Sequence, residues 1–150
     1  MPGLNVVIAV DGSKHAEHAL QYYIDQLHRP DHIVTALYTT PPIIPAFYST
    51  PYAVMTTDIV AACHRDQETH AVKLKVSCDE IAKNLQNYKF VHLKDIESPG
   101  HGIVNYVKEN NVQYVVIGTR GLGTVKRTIL GSVSDHVLHH VHVPVTIVSN

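Results

Sequence analysis

Between Gly118 and Ser132 the chain reads Gly-Thr-Arg-Gly-Leu-Gly-Thr-Val-Lys-Arg-Thr-Ile-Leu-Gly-Ser, directly after the apolar run Tyr114-Val-Val-Ile117. These residue types suit an anion. Glycines allow backbone N–H groups to approach a ligand closely. A hydroxyl residue after the last glycine stands where a helix can begin and turn its unpaired N–H groups toward negative charge. Arg120, Lys126 and Arg127 add positive charge, and no acid occurs from Gly118 to Ser134. The stretch is a candidate phosphate cradle, with a nucleotide as the expected ligand. An exposed helix-terminal anion contact contributes about 0.3–1 kcal/mol, whereas micromolar binding requires about 8 kcal/mol. The base must therefore be buried as well.

A second candidate lies at Asp11-Gly12-Ser13, where the apolar run Val6–Val10 ends. Asp11 can accept hydrogen bonds from ribose hydroxyls, or simply cap the helix that follows. Twelve histidines give this nearly neutral chain (formal charge −1) the capacity to become cationic in mild acid. His136 and His140 stand four apart on an expected helix, the spacing of two metal ligands, but no acid occupies a matching third position. A surface or interface role is the expectation for them, and His15, His18, His64 and His70 are expected on solvated helix faces. The only cysteines, Cys63 and Cys78, fall in one expected helix and so lie roughly 22 Å apart by helical rise. That distance excludes a disulfide, and buried reduced thiols are expected.

The elements that must position these groups alternate along the chain. Val6–Val10 is continuously apolar, the mark of a strand buried on both faces. Ser13 is a suitable N-cap for a helix carrying Ala16, Ala19, Leu20, Tyr23 and Leu27, with Pro30 as its stop. Ile33 to Tyr38 reads as strand two. Four prolines among residues 41–51 argue for a long loop, in which Tyr48 and Tyr52 could cover a ligand or shield the core. A helix is expected from Thr57 to Asn87, with Ala71, Leu74, Cys78, Ile81 and Leu85 as its apolar stripe. Phe90 to Leu93 is strand three. Ser98-Pro99 opens a helix that stops at Asn110-Asn111, with Ile103, Tyr106 and Val107 inward. Val112 to Ile117 is strand four, Ser132 to His140 the last helix, and Val143 to Val148 strand five. Pro144 cannot donate to a ladder, so strand five is expected at a sheet edge. Such alternation implies one parallel sheet covered on both faces. Ligands of such sheets bind beyond the carboxyl ends of the strands, where strand order reverses. Asp11 and Gly118 both fall at carboxyl ends.

At 150 residues with 45% hydrophobic and 17% charged content, the chain fits a single globular domain, 1–150. Its charge balance gives no long-range attraction to nucleic acid or to an acidic membrane. No apolar stretch approaches the ~20 residues of a membrane span, and Met1-Pro-Gly-Leu-Asn5 lacks the pattern of a secretory leader. A soluble, cytoplasmic protein is the expectation.

Neither GxxxxGK[ST] nor GxGxxG after the first strand is present; Gly100-His-Gly102 begins the latter, but Asn105 occupies its third glycine position. What remains is Gly118-x2-Gly121-x9-Gly131-Ser132, with Val10-Asp-Gly-Ser13 near the start and Pro144-Val-Thr-Ile-Val148 at the end. This pattern resembles the ATP-binding branch of the universal stress protein family, over essentially the whole chain. The resemblance implies a three-layer α/β/α fold of the adenine nucleotide alpha hydrolase-like, Rossmann-like kind, with a five-stranded parallel sheet ordered 3-2-1-4-5. It implies that Asp11 meets the ribose or adenine side, that Ala9 and Val10 line the adenine slot, and that the backbone at Thr39 addresses adenine. Gly118, Gly121, Gly131, Ser132 and Val133 resemble the ribose- and phosphate-contacting set, with Ile117 just beneath. Arg120 and Lys126 are not fixed by the motif. Ala9 stands where some members carry proline, and a small apolar residue suffices there. The implied ligand is ATP, or AMP or ADP, with Mg²⁺ or Mn²⁺ as a companion of ATP. The implied assembly is a homodimer through edge strand 143–149, acting on client proteins that the sequence does not name.

Phosphoryl transfer requires a metal clamp and a residue that orients the nucleophile. No acid lies in the glycine loop, and Asp135 falls one turn inside the helix. Binding and regulation of a stress response, with little or no turnover, are therefore favoured over a slow ATPase or autophosphorylating phosphotransferase. A nucleotide-free interaction scaffold is the third reading.

Overall fold

A computed structural model describes residues 3–43, 57–119 and 130–149. Strands β1 (Asn5–Ala9), β2 (Ile33–Thr39), β3 (Tyr88–Leu93), β4 (Tyr114–Thr119) and β5 (Val145–Ser149) alternate with helices α1 (Lys14–Tyr22), α2 (Thr57–Ile81), α3 (Pro99–Glu109) and α4 (Ser132–His140). The strands form one parallel sheet in the order β3-β2-β1-β4-β5, as expected. The prolines and tyrosines expected in the long loop at Pro45, Tyr48, Pro51 and Tyr52 lie outside the described residues. So do Arg120, Gly121, Lys126 and Arg127.

The alternation of side chains along each strand divides the interior into two layers. Val6 and Ile8 of β1 point to the same side as Val34, Ala36 and Val116, where Ala19, Leu20 and Tyr23 of the α1 segment and Leu74 and Cys78 of α2 cover them. Val7 points the other way with Leu37, Val115 and Ile117, beneath Ile103 and Val107 of α3 and Val137 of α4. Both layers are apolar, which is why the strands read as unbroken hydrophobic runs.

Several boundaries differ from the sequence reading, each for a local reason. After Tyr22 the first helix widens into one π turn, Tyr23–Leu27, closed by the His28 N–H donating to the Tyr23 carbonyl at 2.8 Å. Helix α2 ends at Ile81 rather than Asn87; Ala82 still bonds back to Cys78, and Leu85 then donates to Ala82 in a tighter turn. Strand β3 starts two residues earlier than expected. Ser98 sits at the N-cap of α3 but makes no side-chain cap bond, leaving Pro99 at the first turn as the start signal. Asn111 takes a left-handed conformation (φ 49°) that ends α3, a role asparagine fills after helices. Strand β4 begins at Tyr114, with Val112 buried just before it.

Strand β5 is at the edge, but Pro144 is not the reason. That proline precedes the strand, and its carbonyl accepts the Val115 N–H at 3.0 Å. Cys78 is fully buried, and burial pushes its thiol up to about 11, so it is unreactive at neutral pH. Cys63 is also a free thiol but only half-buried, contrary to the expectation that both are buried. Among the described residues no helix is long and apolar enough to cross a membrane.

Candidate functional site

Strand order reverses at β1, which has β2 on one side and β4 on the other. Helices leave the two neighbours in different directions, and a cavity of about 550 Å³ opens beyond the strand ends. Ala9, Val10 and Asp11 supply its floor from β1, Leu37 and Thr39 from β2, and Ile117, Gly118 and Thr119 from β4. Its walls are Ser13, His15 and Ala16 at the start of α1, Pro99 and Ile103 from α3, and Leu130 to Ser134 at the start of α4. Nine residues named from the sequence therefore surround one space: Ala9, Val10, Asp11, Thr39, Ile117, Gly118, Gly131, Ser132 and Val133.

The first strand-helix turn is locally determined. Gly12 adopts φ 80°, and a side chain there would also meet the His70 ring at 3.1 Å. Asp11 Oδ1 accepts the Ser13 N–H at 2.9 Å, and Ser13 Oγ accepts the Ala16 N–H at 3.2 Å. One oxygen of Asp11 thus closes the turn while its carboxylate stays exposed in the cavity, so capping and ligand contact are compatible. Tyr38 lies behind this turn. Burial, with Asp11 contributing, raises its pKa, and the phenol stays neutral in the core under α1 and α2.

The two described glycines of the spaced motif differ in kind. A Cβ at Gly118 would stand 2.3 Å from the His15 carbonyl oxygen, so this glycine lets the α1 backbone cross close over β4. Among the described residues a Cβ at Gly131 would meet only Ser134 Oγ, at an ordinary 3.5 Å, and its φ of −61° suits any residue. No contact among the described residues requires glycine at 131, which lines the cavity.

Helix α4 begins immediately after it. The first helical bond runs from the Asp135 N–H to the Gly131 carbonyl, so the N–H groups of Ser132, Val133 and Ser134 precede the helical ladder. Gly131 offers them no side-chain cap. Ser134 is buried, its hydroxyl donating to the Gly131 carbonyl at 2.9 Å, whereas Ser132 is exposed. A helix start of this kind, with its positive dipole end in a concave space, suits a phosphate. The apolar floor of Val10, Leu37 and Ile117, with Ile103 above, suits a flat base.

His15 is a cavity residue that the sequence reading placed among solvated histidines. The signal was available: it is the second residue of a helix whose N-cap lies two residues beyond Asp11. Pro99 and Ile103 were likewise assigned only to helix initiation and core. Among the described residues no three His, Cys, Asp or Glu side chains are grouped to hold a metal ion.

The model of the Universal stress protein family matches residues 4–149. Universal stress protein Sll1388 of Synechocystis is 29% identical over 97% of both chains. A universal stress protein of Mycolicibacterium smegmatis is 26% identical over 95% of this chain, which spans only about half (47%) of that relative's length. Among solved structures, the universal stress protein UspA of Lactobacillus plantarum superposes with a TM-score of 0.73 at 21% identity, over 99% of both chains. A family member from Arabidopsis thaliana with AMP bound gives 0.65 at 17% identity, over 98% of this chain and 92% of that one. Proteins of the same fold have been solved with cAMP, at 15% identity, and with dAMP, from Archaeoglobus fulgidus at 17%.

Proposed function

The chain belongs to the universal stress protein family, and from that premise we propose that it is an ATP-binding member, a homodimeric and nucleotide-dependent regulator of stress response with little or no turnover. The observation that carries this reading is the glycine at 131. Among the described residues nothing crowds it, and it lines the cavity at the start of α4, where a side chain would intrude on the space this reading gives to a phosphate. Like-folded proteins solved with AMP, cAMP and dAMP support an adenine nucleotide as the class of ligand.

In this reading adenine lies on Val10, Leu37 and Ile117 with the Thr39 backbone at its edge. Asp11 accepts from the ribose, and the phosphates meet the N–H groups at Ser132 and Val133. Gly118 keeps α1 close enough to β4 to shape the floor, and Arg120 and Gly121 continue the phosphate loop. Mg²⁺ or Mn²⁺ accompanies ATP through phosphate oxygens and water, the usual state of Mg²⁺ at such sites. The single domain acts in the cytoplasm on client proteins through its nucleotide-bound form.

Dimerisation uses the 143–149 edge. Among the described residues β5 pairs only with β4, and such an edge must be covered or paired. A groove of about 230 Å³ runs beside it between His18 and Tyr22 of α1 and residues 146–149. The Val115 N–H pairs with the Pro144 carbonyl, so by the alternation of a parallel ladder the N–H of Ile147 points outward. Ile147→Pro should give monomers by light scattering; an unchanged dimer mass would remove this interface from the proposal.

Nucleotide binding is tested by denaturing freshly purified protein and identifying released nucleotide chromatographically, together with titration of AMP and ATP into stripped protein. Gly131→Val should keep the wild-type melting temperature to within about 2 °C and abolish binding. Normal retention of nucleotide by this variant would refute the site.

A further inference from the structure

Three histidines stand ring against ring on the α3/α4 side of the cavity. The His136 ring of α4 lies 4.0 Å, centroid to centroid, from His140 one turn later, with the planes 16° apart. It lies 4.3 Å from His101 of α3, tilted by 57°. A Cβ at Gly100 would fall 2.8 Å from His136 Cδ2, so the first turn of α3 rests directly on this ring. Pro99, one residue before that contact, lines the cavity, as do Ser132 and Val133, one turn before His136. The ring thus joins two helix starts that wall the same space.

We propose that His136 is a positioning residue for nucleotide binding: as a neutral ring it clasps the start of α3 to α4, and on protonation it releases that wall, so that affinity falls in mild acid. The inference rests on the nucleotide reading of the cavity.

His136 Nε2 is buried without a hydrogen-bond partner. A proton placed there would find no acceptor, and an uncompensated buried N–H is unfavourable. His140 Nδ1 donates to the His136 carbonyl at 2.7 Å, which holds its ring against the stack. Among the described groups that face His136, His140 and His101 oppose a positive charge there and only Asp135 favours it. Asp135 is exposed, and its Oδ1 lies 3.6 Å from His139 Nδ1. β4, which also packs on α4, brings only Tyr114 as a titratable group, and the Tyr114 hydroxyl pairs with Thr146 Oγ1. Burial first, then the two neighbouring imidazoles, hold His136 below the usual histidine range. The folded form therefore binds fewer protons than the unfolded one. The contribution of the clasp is complete above about pH 6.5 and is lost as pH falls through the lower pKa of the folded form.

The test compares wild type with His136→Phe, a neutral ring of similar breadth, by titrating AMP calorimetrically from pH 7.5 to 5.5. Titration of the AMP phosphate and of the rest of the cavity wall is common to both proteins and cancels in the comparison. Wild type should lose measurably more affinity than the variant over this range; equal losses would overturn the proposal. The melting temperature of nucleotide-free protein supplies a second readout, falling more steeply with acid in wild type than in His136→Phe. Failure of both proteins to bind AMP at pH 7.5 would refute the nucleotide reading, while parallel melting curves would refute the clasp. Should His136→Phe not fold, His101→Gln, at an exposed position, should shrink the acid-dependent loss of affinity, and an unchanged loss would count against the idea.

Discussion

At the carboxyl ends of β1 and β4 the chain places Ala9 and Gly118, and a cavity of about 550 Å³ remains between the helices. At the amino ends of the same sheet it places rings. Tyr23, fully buried, lies 6.5 Å from Tyr114 at the start of β4, 6.3 Å from His32 before β2 and 5.9 Å from His28. Its hydroxyl pairs with His32 Nδ1 at 2.7 Å, and burial keeps the phenol neutral by raising its pKa. The same strands thus end in a hole on one side and a plug on the other. The difference lies in side-chain volume at the strand ends, since the backbone register is continuous between them. A cavity here is a consequence of what is omitted.

The sharpest way to break this contrast is to fill the open end where its backbone has no room. Gly118→Val should push α1 off β4 and destabilise the protein by more than about 3 kcal/mol, the scale of severe overpacking. Chemical denaturation measures it, and a loss below 1 kcal/mol would show that the close crossing is dispensable. At the plugged end, Tyr23→Phe leaves His32 Nδ1 buried without its partner and should cost about 1–3 kcal/mol, with AMP affinity unchanged. An equal loss of affinity would mean that the two ends are coupled. Ser13→Ala removes the α1 cap and should cost about 1 kcal/mol, readable as a small shift in the denaturation midpoint. The least effect is expected from acid at the plug. Burial and the nearby His32 lower the His28 pKa, so its contribution is present above about pH 6.5 and declines as pH falls below that. His28→Gln should flatten that part of the stability profile, and an unchanged slope would exclude His28 as a contributor.

Much of this was legible in the sequence because it depends on local rules. Unbroken runs such as Val6–Val10 and Tyr114–Ile117 announce strands buried on both faces, and the spaced glycines announce the loop between β4 and α4. The strand ends then place Asp11 and Gly118 at one rim. What escaped depends on contacts across the fold. No sequence rule marks Tyr23–Leu27 as a π turn, although its first residue, Tyr23, is fully buried in the core. Gly118 and Gly131 look alike in a motif, and among the described residues it is the His15 carbonyl that marks Gly118 as a packing glycine, with no such contact at Gly131. The edge position of β5 followed from Pro144 in the sequence, yet that proline serves β4 through its carbonyl. His15 was missed because a helix face was judged without its neighbours, although helical geometry from Ser13 turns it toward Asp11.

The division of the interior by the sheet has a further consequence. Among the described residues the buried apolar side chains under α1 and α2 form one cluster and those under α3 and α4 another, so losses in one should add independently to losses in the other. The space at the strand reversal is an exception, since Ala16 borders it from one layer and Ile103 from the other. A molecule lodged there would bridge two otherwise separate halves, and its arrival could be sensed on both outer surfaces at once.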